Sequence, residues 1–239
     1  MDVKKGIFTI CFFMGMGAIW AVPLMHKDVY VIIYATYKGK TGHAGIAVDR
    51  YKIIYREIRS NSKITYQEDT VKTGELLYYD FWPNDDYFNA KRSGKNIPGI
   101  YYRLPEKLFE AITVNSLCDK GIPHKENYPC DALLKIATTV NCDYRFFSQM
   151  DSLVKMNREF NGRRFNCTDF VIEALIPVIG KKVVAKEFIP FTFSNTPNKL
   201  FRQLVKLPQV EVIRVSGNKT KKSFFSQRVL YKIFNHTAS

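Results

Sequence analysis

The chain has few histidines, only four, and few acidic side chains, with 22 Asp and Glu against 36 Lys and Arg. It has five cysteines and no internal repeat or low-complexity tract. These shortages remove classes of function. The cysteines match none of the paired spacings of a structural zinc site, and besides His43 the only histidines are His26, His124 and His236, so metal chemistry is not indicated and no cofactor is expected. No phosphate-binding loop, dinucleotide fingerprint or G-x-S-x-G elbow occurs. Beyond Ala21 no apolar run offers a membrane anchor.

What is present in excess is positive charge, a formal +14. Such a field favours lipid headgroups or anionic envelope polymers, or serves solubility alone; nucleic acid is the least expected partner of an exported chain. Export follows from the N-terminus. Lys4 and Lys5 precede a nearly uncharged apolar run from Ile7 to Trp20 and the small residue Ala21, the layout of a secretory signal peptide. An uncleaved N-terminal anchor is the alternative. Cleavage near Val22 leaves residues 22–239, 218 residues of charge +13, sized for one domain and expected as a secreted or periplasmic monomer.

Hydrophobic patterning gives strands first and helices second, an α+β class with an antiparallel sheet packed on helices. Strands are expected at Tyr30–Tyr34 and Gly42–Val48, then after a polar turn at Ile53–Tyr55; beyond a polar stretch from Ser60 to Gly74 come Glu75–Pro83 and Ile100–Leu104. Helices are expected from Pro105 through Leu117, from Cys130 to Val140 behind Pro129, and from Phe146 to Met156. Thr196-Pro197 opens a last helix through Leu204, and Val210–Val215 returns as a strand.

One helix carries chemistry. Phe165-Asn166-Cys167-Thr168-Asp169-Phe170-Val171 runs into an apolar-periodic segment that Pro177 ends or kinks, which puts Cys167 in the first turn with Asn166 as cap. Unpaired N–H groups and the positive helix end favour the thiolate, the nucleophilic form. A small buried cysteine filling space is the alternative. His43 opens the strand Gly42-His43-Ala44-Gly45-Ile46, where small neighbours leave room for another backbone or a substrate and a sheet holds the imidazole as a base. Asp80, among Tyr79, Phe81 and Trp82, lines a substrate groove together with Trp82, or caps the turn Pro83-Asn84-Asp85.

GHAGIAVD, followed 124 residues later by NCTDFV, resembles the circularly permuted papain-like hydrolases of the NlpC superfamily, the branch with lecithin retinol acyltransferase-like proteins. The resemblance covers two short motifs, with the His strand ahead of the Cys helix. It implies a permuted papain-like fold and a cysteine hydrolase with Cys167 as nucleophile and His43 as base; Asn166, next to the thiol, is expected to contact the substrate. It also implies a third polar residue on the strand after the His strand, about a dozen positions on. Tyr55 stands at that offset, and Glu57 shares its strand face and is chemically the better orienter. An amide of a peptidoglycan-type peptide is the leading substrate, ahead of ester or thioester cleavage or acyl transfer in lipids; a basic binding module that has lost activity is the rival of another class. Among Cys118, Cys130 and Cys142, an oxidising compartment favours one disulfide, with Cys118–Cys130 preferred.

Overall fold

A computed structural model describes residues 27–38, 40–60, 63–84, 94–106, 111–124, 128–189 and 192–236. The expected signal peptide lies outside them. Among the described residues no helix is long and apolar enough to cross a membrane.

Six antiparallel strands form one sheet: β1 (Val29–Tyr34), β2 (His43–Ser60), β3 (Lys63–Pro83), β4 (Gly99–Leu104), β5 (Ala132–Ile136) and β8 (Val210–Val215), in the order β4-β3-β2-β1-β5-β8. The α+β class with an antiparallel sheet is therefore correct. The middle strand β1, Val-Tyr-Val-Ile-Ile-Tyr, is buried along its whole length because apolar material covers both faces. On one face, Val31, Ile33, Ile46 and Phe81 pack against α2 (Val140–Lys155), α3 (Cys167–Ile179) and α4 (Pro197–Leu204). On the other, Ile32, Tyr34, Tyr78 and Leu133 meet the short α1 (Val114–Asp119) and the chain after it. A two-stranded hairpin, β6 (Lys186–Ile189) and β7 (Thr192–Asn195), stands apart from the sheet.

Several elements differ from the sequence expectation. Ala132–Ile136 is a sheet strand and not part of a helix from Cys130 to Val140. The apolar run Ala-Leu-Leu-Lys-Ile is too short for periodicity to separate a doubly buried strand from a helix, and its main chain bonds to β1 and β8. The strands expected at Gly42–Val48 and Ile53–Tyr55 are one strand, β2, and the polar stretch from Ser60 to Gly74 is largely the first half of β3. Residues 51–60 and 63–72 pair with each other beyond the sheet as a solvent-exposed β-arm, which begins at a register shift between Asp49 and Tyr51. Of the helix expected behind Pro105, residues 107–110 lie outside the described ones, 111–113 are not helical, and α1 covers Val114–Asp119. Pro177 lies in the last turn of α3 without ending it; the helix stops at Gly180, whose φ of 77° suits a glycine C-cap.

A carboxylate network ties the arm to the sheet. Lys72 Nζ reaches Asp28 at 2.9 Å and Asp49 at 2.6 Å, and Lys135 reaches Asp28 at 3.1 Å. Burial pushes the Asp28 pKa up, but the two ammonium groups outweigh it and hold the carboxyl below its ordinary value.

Candidate active site

The α3 N-terminus is fixed by a double cap. Asn166, in extended backbone, accepts from the N–H groups of Thr168 at 2.8 Å and Asp169 at 3.3 Å, while Asp169 accepts from the N–H of Asn166 at 3.1 Å. The cap is itself held by β7. Asn166 Nδ2 donates to Ser194 Oγ and to the carbonyl of Asn195, each at 3.2 Å, and Asn195 Nδ2 donates to Asp169 at 2.6 Å. Cys167 is the first helical residue, so its sulfur has a fixed place at the end of the sheet. Asn166 is thus buried, and its side chain is taken up by the cap and by bonds to β7.

His43 begins β2 opposite Tyr34 of β1. The preceding Gly42 lets the strands close, because a Cβ there would stand 2.5 Å from the Tyr34 carbonyl oxygen. Gly45 has the same necessity on its other side, where the ring of Tyr78 occupies the place of a Cβ. The small residues around His43 make room for neighbouring protein groups.

Asp80 organises the imidazole. Its Oδ1 accepts from His43 Nε2 at 2.5 Å and from the Phe81 N–H at 2.7 Å. Its Oδ2 accepts from Tyr78 Oη at 2.8 Å and Trp82 Nε1 at 2.6 Å. The Trp82 ring also lies against the imidazole, with centroids 4.4 Å apart. Four donors on a fully buried carboxylate fix its position. Burial and then the Asp80 charge hold Tyr78 well above the ordinary phenol range, so it remains a donor. Around the same carboxylate stands His124, with Nε2 3.9 Å from Oδ2 and its ring stacked on Tyr102 at 3.9 Å.

Cys167 is the second partner of the imidazole. Burial works against the imidazolium, but the Asp80 carboxylate, hydrogen-bonded to the ring, and then the neighbouring Cys167 sulfur raise the His43 pKa to about 10. With Nε2 taken by Asp80, Nδ1 is the nitrogen left for the sulfur. His43 and Cys167 are 6 % and 7 % exposed, so the pair is almost withdrawn from water.

The structure thus brings Cys167, His43, Asp80 and Trp82 together, and it does not bring Tyr55 or Glu57. Both of these sit on the exposed arm; Tyr55 is twelve residues from His43 along one strand, roughly 40 Å away at ~3.3 Å per residue. His43 lies opposite Tyr34, and Glu57 pairs with Arg59. The carboxylate that meets the imidazole is Asp80, fully buried and bonded to His43, Tyr78, Trp82 and the Phe81 main chain. Among the thiols, Cys118 and Cys130 stand 3.8 Å apart as free cysteines, and Cys142 lies at the start of α2.

No protein-family model, curated protein or solved structure matches the chain.

Proposed function

We propose that the chain is a thiol hydrolase of the permuted papain-like kind, acting on an acylated compound through a Cys167–His43–Asp80 triad. The observation that supports this reading is one imidazole flanked by a buried carboxylate and by a sulfur at a helix N-terminus. The thiolate of Cys167 attacks the acyl carbon, and a C–S bond forms as the carbonyl becomes an oxyanion. The capping box occupies the N–H groups of Asn166, Thr168 and Asp169; that of Cys167 donates to no acceptor among the described residues, which leaves it for the oxyanion. Collapse breaks the bond to the leaving nitrogen, oxygen or sulfur, which takes the proton of the His43 imidazolium. The neutral imidazole then deprotonates a water that attacks the thioester, and the thiolate is restored. Asp80 holds the ring and its charge throughout and is a positioning residue. It also lies on the strand after the His strand, where the resemblance puts a third polar residue; the arm inserted between the two strands accounts for the larger sequence separation.

These parts serve an amide, an ester and a thioester alike. Alkylation of the full chain by iodoacetamide at neutral pH, followed by intact mass, is the direct test. Modification at Cys167 is expected, slowed on the order of 10²-fold in His43→Ala. A screen against murein peptides and acyl lipids, with Cys167→Ala as control, then identifies the bond cleaved. One observation favours a second reading, an inactive binding module of the same fold: the low exposure of Cys167. A Cys167 that resists alkylation while the chain is folded decides for that reading.

A further inference from the structure

The positive charge is concentrated at one end of the chain. Residues 181–232 hold twelve lysines and arginines against two acids, Glu187 and Glu211, a net +10 of the chain's +14. Glu187 is turned into the fold, paired with Arg202 and accepting from Thr196 Oγ1 at 2.5 Å; Glu211 faces Lys135 at 3.7 Å. Much of this charge gathers along α4, between two grooves of about 460 and 480 Å³ that share Lys199 and Gln203. One groove adds Lys181, Lys182 and Lys186, the other Lys206 and Lys221, and no acidic side chain lines either among the described residues.

Next to the lysines stand apolar side chains in water. Phe188 is 47 %, Phe193 64 % and Val184 68 % exposed. Phe188 lies two residues beyond Lys186 on β6, hence on the same strand face, and Phe193 is its partner on β7, with ring centroids 5.6 Å apart. An aromatic pair inside a field of ammonium groups suits the boundary of a bilayer, where rings enter the headgroup layer and cations stay with the phosphates. A soluble polyanion would meet the lysines but leave Val184 and both rings in water, so the combination favours lipid.

We propose that the β6–β7 hairpin and the adjoining grooves of α4 form a docking surface for an anionic lipid bilayer, with Phe188 and Phe193 inserted and Lys181, Lys186 and Lys199 on the phosphates. The place of this surface matters for the site. β7 is bonded through Ser194 and Asn195 to the cap of α3, so a bilayer on the hairpin lies beside the helix start that bears Cys167. Insofar as the thiol-hydrolase reading holds, on which this consequence rests, the substrate is an acyl group presented at a membrane.

Flotation of the full chain with vesicles of phosphatidylcholine alone, or with roughly one-third phosphatidylglycerol, tests the surface. A preference of about tenfold or more for the anionic vesicles is expected. Lys181→Glu/Lys186→Glu/Lys199→Glu removes the preference, and Phe188→Ser/Phe193→Ser weakens vesicle binding while leaving retention on soluble polyphosphate unchanged. The N-terminal apolar run is common to all variants and cancels in the comparison. A preference that survives the lysine variant overturns the proposal, as does a phenylalanine variant with undiminished vesicle binding, which would make this a polyanion site. Cys167 alkylation, followed in the same samples, separates the two readings. Lost vesicle binding with alkylation intact removes only the docking surface; retained binding with an inert Cys167 removes only the hydrolase.

Discussion

At the scale of single residues, the centre of the site is a carboxylate with no remaining freedom. Asp80 accepts from His43, Tyr78, Trp82 and the Phe81 main chain, so removing its charge while keeping its shape isolates the electrostatic part of its role. Asp80→Asn puts an amide nitrogen or a neutral oxygen where Tyr78 and Trp82 donate. It also withdraws the largest influence that raises the His43 pKa, after the opposing effect of burial. The imidazolium then deprotonates at lower pH and the Cys167 thiolate loses its counter-charge. Alkylation of Cys167 near pH 7 should fall by ~10²-fold or more, and its pH dependence should move, whereas a merely structural Asp80 would leave the pH profile of the folded fraction unchanged. The identity of Asp80 as the partner of His43 was not legible in the sequence. An Asp within Tyr79-Asp80-Phe81-Trp82 is conspicuous, but which strand residue meets His43 depends on the pairing of β2 with β3. That pairing is set across an arm whose length the polar composition of 60–74 conceals. Cys167 and Asn166 were legible because a cap and an apolar period are local signals.

At the scale of elements, α3 is the piece on which the site depends, and its cap is a joint between two elements. Asn166 satisfies two helix N–H groups and also anchors β7. Asn166→Ala removes both sets of bonds in a buried position. The loss of stability should reach about 2 kcal/mol, the upper range for a cap, and Asn166→Asp, which keeps the accepting oxygen but not the bonds from Nδ2, should cost less. Urea unfolding of the two variants checks the order; equal losses would mean that the bonds to β7 carry the whole effect. The legible elements share a property: β1, α2, α3, α4 and β8 each show their own period or cap, such as Thr196-Pro197 at α4. Two of the elements misread, β5 and the arm, depend on neighbours. A five-residue segment with four apolar side chains becomes a strand because β1 and β8 bond to both edges, and a polar ribbon is extended because its two halves pair in register from Tyr51↔Lys72 to Ser60↔Lys63.

At the scale of the whole molecule, the pH dependence of stability tests the site without any substrate. Unfolded, His43 titrates near 6.5; folded, burial opposes its charge, but Asp80 and Cys167 raise its pKa to about 10. Below about 6.5 the proton is bound in both states and the stabilisation is complete. Between there and about 10 the folded chain holds a proton that the unfolded chain has released, so stability declines as pH rises, and above the folded value the contribution is gone. Asp28 works in the opposite direction at the acid end. Its pKa is lowered by Lys72 and Lys135 in spite of burial, so its contribution is present above the ordinary value of 3.8 and is lost as pH falls below it. Maximum stability should therefore lie between about pH 4 and 6.5. The net charge of +14 competes with the His43 decline, because mutual repulsion weakens as the chain loses protons at alkaline pH. Salt screens that repulsion over roughly 8–10 Å but hardly reaches an ion pair withdrawn from water. The difference between wild type and His43→Ala cancels the repulsion almost entirely. Urea midpoints of the two proteins, measured from about pH 6 to 9.5 in moderate salt, should be furthest apart at the acid end and converge as the pH approaches 10. A separation that stays constant across that range would mean that His43 is neutral in the folded chain, and the imidazolium–thiolate pair with it would have to be abandoned.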